Sequence, residues 1–115
     1  MPTLDYIEIP VGSVPEQARF YLAAFGWHFT DYGPDYAAHE AEPCQLGLNG
    51  AEDHRSNAIL PVIRVDQIEL AREAVRDAGG TITLDIFAFP GGRRFHFTDP
   101  EGLEMGVYEP AGPAD

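Results

Sequence analysis

The sequence predicts an α+β protein built from two tandem β-α-β-β-β units. A run with a capping residue, an acid, an Ala-Arg pair and a closing glycine occurs twice, at residues 13–26 and 66–79, about 53 residues apart. A strand-like apolar segment precedes each copy, and apolar segments separated by glycine and proline turns follow it. We expect one domain over residues 1–115, with repeat units at about 3–49 and 58–109. Because one unit cannot bury its sheet face alone, the duplication predicts a cleft between two similar sheets, where a ligand would bind.

The first unit begins with a predicted strand over residues 4–11. Its alternation places Ile7, Ile9 and Val11 on one face and Tyr6 and Glu8 on the other. The apolar face needs the cover of the following helix, so the opposite face, which carries Glu8, should line the cleft. A carboxylate there is costly unless it meets water, a cation or a base.

The first helix is predicted to begin after Ser13 and to end at Gly26. Pro15 and Glu16 suit its first turn, with Ser13 and Glu16 as a capping box, and glycine favours the C-terminal cap. Its buried stripe is predicted to contain Val14, Ala18, Tyr21, Leu22 and Phe25. Three strands are then expected over residues 27–32, 36–40 and 44–48, followed by a polar linker over 49–57.

The second unit repeats this order, beginning with a strand over residues 59–65. Asp66 is the predicted cap of its helix, Glu69 the box partner and Gly79-Gly80 the end. The predicted buried stripe contains Ile68, Ala71, Val75 and Ala78. Three further strands are expected over residues 81–89, 93–98 and 103–109.

Composition restricts the partners of the chain. A formal charge of −12 repels phosphates, which argues against nucleic-acid binding and against anionic membranes. The first residues lack the pattern of a signal peptide, and no apolar stretch approaches the roughly 20 residues of a membrane span. Cys44 is the only cysteine, so no internal disulfide forms. We therefore expect a cytoplasmic protein.

Five motifs in their order along the chain resemble the vicinal-oxygen-chelate superfamily, which includes glyoxalases, extradiol dioxygenases and bleomycin-resistance proteins. They are Phe20-Tyr21, Phe25-Gly26-Trp27, Val65-Asp66, Ala78-Gly79-Gly80 and Phe97-Thr98-Asp99-Pro100-Glu101-Gly102. The resemblance implies two curved four-stranded sheets that enclose a cup-like cleft, and it makes a homodimer the expected assembly.

The resemblance also implies four positions at which enzymes of this superfamily bind a divalent metal. Transferred by the helix and turn motifs, they fall on Tyr6, Leu60, Gly106 and, less securely, Gly47 with Leu48 and Asn49 as neighbours. Leucine and glycine offer no side-chain donor, whereas these metals require imidazole or carboxylate ligands. We therefore expect the fold and the cleft without the metal and without another cofactor.

The spacing of the four histidines does not indicate a metal site elsewhere in the chain. His28, His39, His54 and His96 lie in four separate segments without a short ligand motif. His54 lies beside two acids in the polar linker, where a loosely held metal is the less favoured interpretation. His96 either packs under the second helix or points into the cleft.

Strand alternation and the resemblance together select the candidate ligand-binding residues of the cleft. They are Tyr6, Glu8, Trp27, Leu60, Val62, Arg64, His96, Glu104 and Tyr108. Arg64 is one candidate partner for Glu8. The basic pair Arg93-Arg94 either binds an anionic ligand or balances nearby carboxylates. No catalytic residue follows from the sequence.

The leading functional hypothesis is that the chain binds or sequesters a small organic molecule, as the bleomycin-resistance branch does. An alternative is a metal-dependent lyase, isomerase or dioxygenase with relocated ligands. A second alternative is an interaction module whose cleft is filled by side chains. Metal content distinguishes the first two hypotheses, and titration with an apolar ligand distinguishes the first from the third.

Overall fold

The computed structural model describes residues 2–53 and 56–112. The chain divides into two compact units. The N-terminal unit comprises Asp5–Leu60, and the C-terminal unit comprises Pro61–Asp115 together with Met1–Leu4, each within the described ranges. His54 of the polar linker lies outside the described residues.

The N-terminal unit has the order β-α-β-β-β. Its elements are β1 (Thr3–Pro10), α1 (Val14–Phe25), β2 (Thr30–Asp31), β3 (Tyr36–His39) and β4 (Gln45–Asn49). The strands lie side by side in the order β2-β3-β4-β1, and β1 runs parallel to β4 while the other pairs are antiparallel.

The C-terminal unit repeats this arrangement. Its elements are β5 (Leu60–Arg64), α2 (Ile68–Asp77), β6 (Thr81–Phe89), β7 (Gly92–Thr98) and β8 (Glu104–Pro110). The strand order is β5-β8-β7-β6, with β5 and β8 parallel and the other pairs antiparallel. The predicted fold class of two tandem β-α-β-β-β units is therefore confirmed, whereas the cleft between them stays a prediction.

Helix α1 begins and ends where the sequence predicts. The Ser13 side chain accepts a hydrogen bond from the Glu16 backbone N–H at 3.3 Å, which satisfies one of the amide groups left open by the first turn. Gly26 takes the left-handed conformation with φ 73°, and its N–H donates to the Leu22 carbonyl. Glycine adopts this conformation without the steric cost that a Cβ would bring.

Helix α2 corrects the predicted cap. Gln67, rather than Asp66, is the N-cap residue, and its side chain makes no capping hydrogen bond. Instead, Glu109 of β8 accepts a hydrogen bond from the Ile68 backbone N–H at 3.2 Å. A carboxylate at the helix N-terminus is favoured by the helix dipole wherever in the sequence it originates. Tertiary structure therefore replaces the local capping box.

Two further expectations for the N-terminal unit fail. The strand predicted over residues 27–32 contains only Thr30–Asp31, and the rings of Trp27 and Phe29 before it pack with Tyr21 of α1. Leu22 and Phe25, placed in the buried stripe by the helical period, are exposed. Leu22 lies about 100° around the helix from Tyr21, and Phe25 is the last residue of the helix.

Each unit covers one face of its sheet with its helix. In the N-terminal unit the core contains Val11, Val14, Ala37 and Leu48, with Ile9, Ala18 and Tyr21 packed against it. In the C-terminal unit it contains Val65, Ile68, Phe95 and Val107, with Ile63, Ala71 and Val75 packed against it. The predicted phase of the first strand is thus correct at Ile9 and Val11, whereas Ile7 is exposed. The opposite sheet faces carry the buried polar side chains, Glu8 and Asn49 in one unit and Arg94 and His96 in the other.

Candidate functional site

Glu8 is the buried carboxylate of the N-terminal unit. It lies on β1, on the sheet face opposite α1, and is 2% exposed. Its Oε2 accepts a hydrogen bond from the Tyr36 hydroxyl and its Oε1 accepts one from the Asn49 amide, each at 2.9 Å. Asn49 is itself held, because its Oδ1 accepts a hydrogen bond from the Ala51 backbone N–H. Donors on β3 and β4 therefore compensate a buried charge that would otherwise be costly.

Gly47 makes room for the bond between Tyr36 and Glu8. It lies on β4 and pairs with Glu8 on one side and Ala38 on the other. A Cβ at position 47 would lie 2.1 Å from the Tyr36 hydroxyl oxygen and 2.9 Å from the adjacent ring carbon. The Tyr36 ring thus occupies the space that any side chain at position 47 would need.

Arg94 is the buried cation of the C-terminal unit. It lies on β7, on the face opposite α2, and is 3% exposed. The guanidinium carbon lies 5.6 Å from the ring centre of Phe87 and 5.5 Å from that of Phe89, within the range of cation–π contacts. The Phe89 ring also meets Tyr108 edge to face at 6.2 Å. Two phenylalanine rings therefore flank this cation.

His96 links Arg94 to a carboxylate. Its Nε2 lies 3.0 Å from Nη2 of Arg94, and its Nδ1 lies 3.4 Å from Oε2 of Glu104. Arginine only donates, so Nε2 is the acceptor and the imidazole proton belongs on Nδ1, facing Glu104. Thr83 donates to the same Glu104 oxygen at 3.2 Å. The four side chains form a polar chain along the sheet face.

Arg93, the neighbour of Arg94, has a different environment. It faces the helix side, where Nη1 and Nη2 donate to the Glu69 carboxylate at 2.6 and 3.1 Å, and Nη2 also donates to Glu109 at 3.1 Å. The hydrogen bond from Arg93 lowers the pKa of the Glu69 carboxyl. The hydrogen bonds to Glu69 and Glu109 raise the pKa of Arg93. Of the two interpretations of the arginine pair, Arg93 fits the balance of carboxylates, whereas Arg94 lies on the opposite face of β7.

The candidate residues predicted from strand alternation occupy three environments. Tyr6 and Glu8 are buried on the face of β1 opposite α1. Four others are buried on the sheet face opposite α2, namely Leu60, Val62, His96 and Tyr108. Glu104 is half-buried on the same face, and Arg64 is exposed. Trp27 lies on the helix side of its sheet, stacked on Tyr21 at 5.8 Å and on His39 at 5.0 Å between ring centres.

Sequence reasoning missed the residues that hold Glu8 and surround Arg94. It proposed Arg64 as a partner for Glu8, whereas Tyr36 and Asn49 donate to both carboxylate oxygens. It weighed Arg94 only as part of a pair and did not select Phe87 or Phe89. The available signal was strand parity, because Asn49 shares a face with Gly47 and Arg94 shares a face with His96.

The residues at the four metal positions of the resemblance do not fit a metal. Leu60 and Gly106 have no donor atom, and the space beside Gly47 contains the Tyr36 ring. Tyr6 is the only one of the four with a polar side-chain atom. Within residues 2–53 and 56–112, no group of three or more His, Cys, Asp or Glu side chains is arranged to hold a metal ion. In the same ranges, neither helix has the length and apolar character needed to cross a membrane.

Comparison of the sequence with known protein families identifies the superfamily of this chain. The sequence model of the Glyoxalase/Bleomycin resistance protein/Dioxygenase superfamily matches residues 3–107. The chain belongs to this superfamily. The match confirms the resemblance carried by the five motifs. A search of curated protein sequences found no match.

Solved structures of this glyoxalase-type fold align with nearly the whole chain. A hypothetical protein from Bacillus halodurans C-125 has a TM-score of 0.80 at 17% identity, covering 99% of this chain and 98% of that one. Methylmalonyl-CoA epimerase from Mycobacterium tuberculosis has a TM-score of 0.73 at 17% identity, covering 95% and 88%. A Streptomyces coelicolor methylmalonyl-CoA epimerase in complex with 2-nitronate-propionyl-CoA has a TM-score of 0.78 at 14% identity, covering 98% and 97%. Identities this low show similarity of fold alone.

Proposed function

We propose that this superfamily member binds a small organic molecule on the sheet faces opposite its helices, in the cytoplasm and without the metal of the enzymes. One observation carries the proposal. Three of the four positions that the resemblance assigns to a metal hold glycine or leucine, which have no ligand atom. Charged side chains are nevertheless buried on the same faces, namely Glu8 in one unit and Arg94 in the other.

Burial of these groups supports a binding role. Removing a charged side chain from water is costly, and a sheet face that only completes the fold is satisfied more cheaply by apolar residues. Here the polar groups converge in small clusters set among rings, with Tyr36 beside Glu8 and Phe87 and Phe89 beside Arg94. A small number of polar groups at fixed positions in an aromatic lining is typical of small-molecule sites.

Titration with the uncharged dye Nile red tests this function. We expect saturable binding at one dye per chain, unchanged by a chelator, because no metal takes part. Tyr108→Ala should weaken binding about fivefold, since it removes a ring from the face opposite α2. The matched control is Phe25→Ser, which removes an exposed ring on α1 and should leave binding unchanged.

Other outcomes of this titration identify the alternative functions. Loss of dye binding on chelation, with about one transition metal per chain in the untreated protein, would favour the enzyme with relocated ligands. Absence of saturable binding to the folded wild type would favour the interaction module. Equal weakening by Tyr108→Ala and Phe25→Ser would show that the dye adheres to exposed apolar surface.

A homodimer is the second part of the proposal. It is supported by the superfamily assignment and by large apolar side chains that remain exposed on α1, among them Phe20 and Phe25. Light scattering at tens of micromolar protein should give a mass of twice 12.6 kDa. A mass of 12.6 kDa under these conditions contradicts the dimer and leaves the binding proposal intact.

A further inference from the structure

We infer that the aromatic surface at the C-terminal end of α1 is the contact between two copies of this chain, each packing the same surface against the other. The inference rests on the proposed homodimer and names the surface that joins its subunits. This surface, the α1 patch, is defined as Phe20, Tyr21, Ala24, Phe25 and Trp27.

The α1 patch is a contiguous surface of the N-terminal unit. The ring centre of Tyr21 lies 5.1 Å from that of Phe20 and 6.4 Å from that of Phe25. The Phe25 ring in turn lies 5.2 Å from that of Trp27. Phe20 is 57% exposed and Phe25 is 61% exposed, and Ala24 is exposed as well. Single exposed apolar residues are ordinary, whereas apolar residues that touch one another at the surface mark interaction sites.

The second repeat shows what this side of the helix carries when it meets water. At the repeat offset of about 53 residues, Phe20 corresponds to Glu73 of α2, and Ala24 corresponds to Asp77. Both acids are exposed, and Glu73 accepts a hydrogen bond from Arg76 at 3.0 Å. Because α2 covers its sheet with charged residues at these positions, packing within a unit does not require apolar ones. The apolar residues of α1 therefore suit a contact outside the unit.

Charge favours a second copy as the occupant of the α1 patch. The net charge of the chain is −12, so two copies repel each other wherever their charged residues meet. Residues 20–30 form the longest stretch of the sequence without Asp, Glu, Lys or Arg, and the patch lies within it. A two-fold contact brings a surface against itself, so any charge inside it would meet its own like charge. A basic partner would instead be attracted to carboxylates.

The area of the α1 patch is suited to a reversible dimer. A standard interface buries about 800 Å² per partner, of which a little more than half is apolar. An aromatic side chain buries roughly 150–250 Å², and Phe20 and Phe25 each leave more than half of their surface exposed. With the adjoining rings and Ala24, the patch offers on the order of 400 Å². This area matches the apolar part of a standard interface.

Phe20 and Ala24 give the patch a shape that packs against itself. They lie four residues apart on α1, on the same side of the helix. When two copies of α1 meet in antiparallel directions about a two-fold axis, the Phe20 ring of each copy lies over the small Ala24 of the other. A large side chain opposite a small one allows helices to interdigitate.

Dilution series followed by light scattering and by tryptophan fluorescence test the inference. The mass and the emission of wild type should change with the same midpoint, because Trp27 is the only tryptophan and lies in the patch. Phe20→Glu and Ala24→Glu should each weaken the dimer at least about tenfold, since each sets a charge against apolar surface. Leu70→Glu is the matched control: it adds the same charge at a leucine of α2 that is 62% exposed, and it should leave the dimer within about twofold.

Sodium chloride provides a readout on wild type alone. The contact itself is uncharged while the two copies repel each other, so raising the salt from about 0.05 M to about 0.5 M should tighten the dimer about threefold. A dimer held together by ion pairs would weaken under the same change.

Four outcomes would overturn the inference: a dimer that persists in Phe20→Glu or in Ala24→Glu, equal weakening by Leu70→Glu, dissociation that leaves the Trp27 emission unchanged, or a wild-type dimer that salt weakens. The two measurements on wild type decide even if a variant does not fold. Any of these results with a dimeric wild type rejects the α1 contact alone. A wild type that stays monomeric at tens of micromolar rejects the proposed homodimer itself, and binding of that monomer to phosphatidylcholine vesicles would identify a lipid surface as the occupant instead.

Discussion

Replacing Glu8 with leucine is expected to lower the free energy of unfolding by about 2–5 kcal/mol. The Tyr36 hydroxyl and the Asn49 amide both donate to the carboxylate at 2.9 Å, and leucine offers no acceptor to either of these donors. The loss of two hydrogen bonds to a charged acceptor outweighs the relief of removing a buried charge. Glu8→Gln keeps the size and one oxygen acceptor, so its loss should be smaller.

Urea unfolding, followed by circular dichroism at neutral pH, measures this effect. The matched control is Glu101→Leu, which removes an exposed glutamate from the turn before β8 and should change stability by less than about 0.5 kcal/mol. A Glu8→Leu variant as stable as wild type would mean that the buried carboxylate is not held by Tyr36 and Asn49 in solution. A denaturant dependence that differs between variants would indicate a change in the unfolded ensemble instead.

Replacing Gly47 with alanine is expected to lower the free energy of unfolding by about 1–3 kcal/mol. The new methyl group would meet the Tyr36 hydroxyl oxygen at 2.1 Å and a ring carbon at 2.9 Å. The ring has to move away to relieve this clash, and it then loses its bond to Glu8. The same urea unfolding measurement reports the cost.

Two comparisons isolate the cause. Gly12→Ala is the control, because a Cβ there meets nothing within 4 Å, and it should be neutral or slightly stabilising. In the Tyr36→Phe background, Gly47→Ala should cost less than in wild type, since the hydroxyl that makes the closest contact is gone. Equal costs in the two backgrounds would contradict the proposed contact between Gly47 and Tyr36.

The sheet face on which Glu8 lies was predictable from sequence, but the partners of Glu8 were not. Alternation along β1 placed Glu8 opposite the helix, and the structure confirms that it is buried. Its donors lie 28 and 41 residues away, on strands whose register follows from the pairing of β4 with both β1 and β3. No local pattern encodes such a distance, because register depends on packing of the whole unit. The candidate Arg64, taken from strand counting, is exposed.

The same distinction holds for the helices. Local signals were sufficient for α1, where Ser13 and Gly26 cap the helix through contacts within four residues. They failed for α2, where Glu109 of a distant strand binds the first turn. A short-range cap is readable in a sequence because its energy depends on neighbouring residues, whereas a tertiary cap depends on where another strand ends.

By itself, the sequence determined the repeated β-α-β-β-β order and the helix-facing and opposite faces of the first strand. It did so because hydrophobic period, turn residues and caps act over a few residues. Tertiary structure alone decided that Tyr36 crosses Gly47 to reach Glu8, and that Arg93 and Arg94 have different environments. Adjacent residues of a strand point to opposite faces, and what lies on each face depends on strands distant in sequence.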